Sequence, residues 1–151
     1  MGLSQGFLAV KLYEMEKQYG KLQSRLLICG EKNHLRIQKE LERARDEYQE
    51  QLLTLQREVE QSRSQAVKDL SQIQLSFYHK MEELKKKLPE YFRSEETVQE
   101  EDGAEAAALY AEYAVDHAVQ SMQYAFIAAL EAMDAQMTLE EQKGEESTCR
   151  K

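Results

Sequence analysis

Apolar residues recur along the first part of the chain at Leu8, Leu12, Met15, Tyr19, Leu22, Leu26 and Cys29, in steps of four, three, four, three, four and three. This is a heptad seam, the pattern of a left-handed coiled coil. It predicts a long helix over residues 3–92 whose first part presents this stripe. The seam falters at 30–33, where Gly30 costs about 1 kcal/mol in a helix interior and the next seam position is polar. That stretch reads as a weak point or hinge.

Beyond it the spacing changes to four, three and four, repeated. Over residues 44–88 the positions Ala44, Tyr48, Gln51, Leu55, Val59, Ser62, Ala66, Leu70, Ile73, Phe77, Met81, Leu84 and Leu88 follow an 11-residue rule, interrupted only by Gln51 and Ser62. Eleven residues in three turns drift little around a straight helix, so any supercoil is shallow and right-handed. The same rule returns further on, through Ala104, Ala108, Ala111, Val115, Val119, Met122, Phe126, Leu130, Met133 and Met137, with alanines flanking the stripe. Two helices that share one period can lie side by side in register. The expected fold is therefore all-α: a long N-terminal coiled-coil helix with an Ala-rich amphipathic helix, residues 104–142, folded back on its second half as an antiparallel hairpin.

Punctuation sets the expected boundaries. Pro89 follows Lys85, Lys86 and Lys87 and should stop the first helix near Leu88. Residues 93–103, acidic and almost without apolar side chains, read as an exposed linker. Asp102, with Glu105 three residues on, is the expected cap of the second helix. Lys143 and Gly144 are its expected stop, and residues 143–151 are expected to be a disordered tail.

Lengths then say what such a hairpin covers. An unbroken helix from Leu3 to Leu88 spans roughly 130 Å and the second helix roughly 58 Å, so the heptad end lies beyond reach of the second helix. A seam of Leu, Met and Tyr gains little stability until another helix covers it. The partner implied is a second copy, most simply a parallel homodimer, or another coiled-coil protein. The hairpin seam, Leu55, Val59, Leu70, Ile73, Phe77, Met81 and Leu84 against Val115, Val119, Met122, Phe126, Leu130 and Met133, has an alternative in which the two halves pair between chains.

Charge is unevenly spread: residues 1–92 hold 16 Lys+Arg and 14 Asp+Glu, a net +2, whereas residues 93–151 hold 4 and 14, a net −10. The overall −8 disfavours a nucleic-acid partner. Arg36, Lys39, Arg43 and Arg45 are interleaved with Glu40, Glu42, Asp46 and Glu47, which suits a solvated helix face with i, i+4 pairs. Lys85, Lys86 and Lys87 beside Tyr91 and Phe92 form the one basic and aromatic cluster. The runner-up reading, an elongated module on an anionic membrane surface, would rest on it, and the acidic residues from Glu95 to Asp102 work against it.

Chemistry is sparse. His34, His79 and His117 are far apart, and Asp116 points about 100° away from His117 on a helix, so no metal or catalytic cluster is expected. Cys29 reads as a seam residue and Cys149 as a lone thiol. No glycine-rich phosphate loop is present, and no cofactor or small-molecule substrate is implied. Gly6 stands where N-myristoylation of Gly2 wants Ser or Thr. With no apolar run near 18 residues, no secretory pattern and unpaired cysteines, the expected setting is cytoplasmic, nuclear or cytoskeleton-associated. Ser94 and Thr97 lie among carboxylates, as acid-directed phosphorylation sites do. The sequence thus points to a non-enzymatic scaffold or adaptor working through helix association.

Overall fold

The computed structural model describes residues 5–29 and 33–150, and among these every regular element is an α-helix. They are α1 (Gln5–Cys29), α2 (His34–Gln61), α3 (Gln65–Tyr91) and α4 (Gln99–Cys149). The single helix expected over 3–92 is therefore three helices. Residues 3 and 4 and most of the expected weak point, 30–32, lie outside the described residues. At its edge Asn33 is extended, with φ −98°, and its side chain accepts the Arg36 N–H at 3.2 Å, which caps α2.

The second break was not expected. It falls at Ser62, one of the two polar residues in the 11-residue seam. Ser62 and Ser64 both have extended backbones, and the Ser62 hydroxyl accepts the Ser64 N–H at 3.2 Å. Ser64 Oγ in turn accepts the Val67 N–H at 3.4 Å and caps α3. Two serines compete with the helix for backbone hydrogen bonds here, and a helix ends and restarts within three residues.

The chain divides into two units, residues 29–113 and residues 1–28 with 114–151. In the first, α3 turns back along α2, and this is the one helix pair among the described residues packed along its length. Leu52 on α2 and Leu75 on α3 are buried, and Ser71 is buried beside them on α3. Tyr48 meets Tyr78 edge to face with ring centroids 5.4 Å apart, and Gln49 Nε2 donates to Tyr78 Oη at 3.5 Å. Pairs 48 with 78 and 49 with 78 place the turn midway, near residue 63. This is an antiparallel pair.

Pro89 does not stop α3 near Leu88. Its missing N–H costs one hydrogen bond, yet the helix continues to Tyr91 and closes with 3₁₀-type bonds, Phe92 N–H to Pro89 O at 3.2 Å and Arg93 N–H to Glu90 O at 3.4 Å. The connection to α4 is shorter than the expected linker. Ser94 and Thr97 order it, since Thr97 Oγ1 accepts the Ser94 N–H at 3.2 Å and Ser94 Oγ accepts the Glu96 N–H at 3.3 Å.

α4 starts before the expected cap. Val98 O accepts the N–H groups of Glu101 and Asp102 at 3.0 and 3.2 Å, so Asp102 is inside the first turn rather than capping it. Glu100, Glu101 and Asp102 there suit the positive end of the helix dipole, which accounts for the earlier start. Asp102 and Ala106 are buried in this unit, at 4% and 3% exposure. Nor do Lys143 and Gly144 end the helix. α4 runs to Cys149, and the segment expected to be a disordered tail is helical, with Ser147 and Thr148 hydroxyls donating to Gly144 O at 2.9 and 2.6 Å. One glycine's penalty is small beside the propagation of a 51-residue helix.

Candidate interaction surfaces

α3 carries two stripes. The one that meets α2 runs through Ser71, Leu75, Tyr78 and Glu82, a mixed row; the richer apolar row through Leu70, Ile73, Phe77, Met81 and Leu84 points elsewhere. Ile73 and Leu70 are 66% and 63% exposed, Phe77 and Leu84 about two-fifths exposed, and Met81 half-buried. On α2 the expected seam residues Leu55 and Val59 are half-buried. Leu52, Val59, Leu75 and Tyr78 line one groove between the two helices. The hairpin seam of the sequence is thus divided: its α2 part faces α3, while much of its α3 part faces solvent. The turn at Ser62 causes this, because an 11-residue column drawn through Leu55, Ala66 and Phe77 assumes a helix that is not continuous.

The α4 half of that seam is also exposed. Val115, Val119, Met122, Phe126 and Leu130 all stand largely in solvent, and only Met133 is half-buried. On α1, Leu8, Leu12 and Cys29 are half-buried, whereas Met15, Tyr19, Leu22 and Leu26 are exposed, Leu26 at 75%. Sequence reasoning passed over further apolar residues on α1, among them Val10, Tyr13, Leu27 and Ile28, all exposed. They lie off the heptad stripe, so a search by period does not collect them.

A polar cluster sits where α2, α3 and the first turns of α4 converge. Lys85 Nζ pairs with Glu82 Oε1 at 2.9 Å and lies 5.5 Å from the centre of the Tyr110 ring. Burial, then the neighbouring Tyr78, Tyr110 and Glu82, push the Tyr48 phenol up from its usual 10.0. Leu41, Ala44, Arg45, Tyr48, Tyr78 and Glu82 help line an open groove of about 650 Å³ there. Its groups hold one another and present no nucleophile with an adjacent base.

Among the described residues no group of three or more His, Cys, Asp or Glu is placed to hold a metal ion. His117 meets Ser121 Oγ at 3.5 Å, and His79 stacks edge to face on Tyr78. Cys29 is half-buried and Cys149 exposed. On the basic face of α2, Arg43 Nε pairs with Glu47 Oε1 at 3.1 Å, an i, i+4 bridge. No helix of the described residues is long and apolar enough to cross a membrane. No protein-family model, curated protein or solved structure matches the chain.

Proposed function

We propose that the chain is a non-enzymatic interaction module, a scaffold or adaptor that self-associates by coiled-coil packing of α1 and that also offers its seams to other helical proteins. One observation carries this reading: Met15, Tyr19, Leu22 and Leu26 on α1, and Val115, Val119, Met122, Phe126 and Leu130 on α4, stand exposed along their seams. Contiguous apolar stripes on a protein surface are sites for partners. In the same reading the 11-residue face of α3 pairs with helices of matching period.

The membrane reading draws less support. Lys85, central to the basic cluster, is engaged by Glu82 and Tyr110, and the exposed Tyr91 is left with Lys86 and Lys87 beside an acidic segment.

Light scattering of the full chain over a hundredfold concentration range tests the proposal. The expected mass is twice 17.6 kDa or more, falling to 17.6 kDa for Leu22→Glu. A full chain that stays monomeric throughout rejects self-association, and a dimer untouched by Leu22→Glu rejects α1 as its interface.

A further inference from the structure

The α1 seam has a counterpart of the same length elsewhere in the chain. Val115, Val119, Met122, Phe126, Ala129 and Met133 follow on α4 with the steps four, three, four, three and four that take α1 from Leu8 to Leu26. Extended by one step, to Cys29 and Gln136, each seam covers 22 residues, roughly 32 Å of helix. Within one copy neither is closed: Tyr19 is 62% exposed, Phe126 54% and Val115 64%.

Charge distinguishes the two helices. Residues 8–29 carry Lys11, Lys17, Lys21 and Arg25 against Glu14 and Glu16, a net +2. Residues 115–136 carry Asp116, Glu131 and Asp134 with no Lys or Arg, a net −3. Pairing α1 with α1, or α4 with α4, sets a net charge of one sign against itself; pairing α1 with α4 sets opposite net charges together. The α4 seam is flanked on one side by Ala118, Ala125 and Ala132, which lets a second backbone approach closely.

We propose that the occupant of the α1 seam is α4 of a second copy. Reciprocity follows at once, because the same pairing made twice about a two-fold axis closes both seams of both copies and leaves none to propagate. This inference rests on the self-association proposed above and narrows it: the helix that covers α1 is α4, not another α1.

Tyr19 and Phe126 each occupy the middle of seven seam positions, so they face each other whichever way the helices run. The test uses full-length chains in which Cys29→Ser and Cys149→Ser remove the native thiols. One chain carries Tyr19→Cys, and a second, tagged for size, carries Phe126→Cys. The two are mixed, allowed to exchange and oxidised. The expected product is the mixed 19–126 disulfide, in roughly tenfold excess over either homodisulfide once the helices hold the thiols at bonding distance. Random collision gives only a twofold excess.

A second measurement guards against loss of pairing through the cysteines themselves. In the otherwise native chain, Phe126→Glu should leave the helical circular dichroism unchanged and bring the dimer mass down to that of the monomer. A dimer in which the 19–19 link dominates, or which survives Phe126→Glu undiminished, overturns this pairing and leaves self-association standing. A parent chain monomeric at every concentration overturns both.

Discussion

Leu75 and Ile73 lie two residues apart on α3, about 200° around the helix, and are exposed to opposite degrees: Leu75 is 9% exposed against α2 while Ile73 is 66% exposed. The chain uses the mixed row of α3 for its internal contact and leaves the more uniformly apolar row outward. A single substitution at each position separates their roles. Leu75→Ala is expected to destabilise the α2–α3 pair by about 2–4 kcal/mol, and Ile73→Ala by less than about 0.5 kcal/mol. Urea unfolding at one fixed protein concentration measures both. Equal losses at the two positions would mean that the outer row is covered in solution.

Ser64 caps α3 through its hydroxyl, so Ser64→Ala should cost about 1 kcal/mol, with Ser64→Asp close to neutral. Amide exchange should locate the loss: faster at Val67 and Lys68 and unchanged in the middle of α2. Uniform acceleration through both helices would assign Ser64 a wider role than a cap.

Tyr48 supplies a pH dependence with a definite sign. Its phenol titrates higher in the folded chain than in the unfolded one, so the folded state favours the neutral form. The contribution is complete below the unfolded value of 10.0 and is lost as pH rises through the folded value. Thermal melts should therefore show the chain losing stability above pH 10 more steeply than its Tyr48→Phe variant does. Parallel curves for the two would remove Tyr48 as the source.

Gly144 tests the continuation of α4. A methyl group added there meets nothing within 4 Å, and the residue lies inside the helix. Gly144→Ala should raise local helix stability by about 1 kcal/mol and Gly144→Pro should break the helix at a cost of roughly 3 kcal/mol. Amide exchange over residues 140–149 reads both. No change on Gly144→Ala would mean that this end is not helical in solution.

Much of the architecture was legible because helix period survives in side-chain identity. Leu8 to Cys29 and Val115 to Met133 each announce a helix, and helices are what stand there. Where the chain breaks was harder to read. Ser62 was visible as a blemish in a seam, but a polar seam residue and a turn look alike until Ser64 is weighed as a cap. Missing that break also misplaced the packed row of α3, since Ser71, Tyr78 and Glu82 are too polar to register as a hydrophobic stripe. At the ends of α4 the cues were overweighted: Asp102 and Gly144 are good terminal residues, yet long cooperative helices absorb them when nothing opposes their extension. Which seam meets which is not written in period alone, and only the exposure of both stripes, with their opposite charge, narrows it.

The three-residue turn between α2 and α3 also bears on the order of events in folding. It joins contacts close in sequence, so the α2–α3 pair can form on the microsecond timescale of local elements, soon after those residues leave the ribosome. Any pairing of the outward stripes between copies is second order and waits on collision. If the copies pair as proposed, the chain passes first through a helical species with exposed apolar stripes, whose lifetime shortens as its concentration rises. Rapid dilution should lengthen that interval and expose it to proteases or holdase chaperones, while abundant synthesis should all but abolish it.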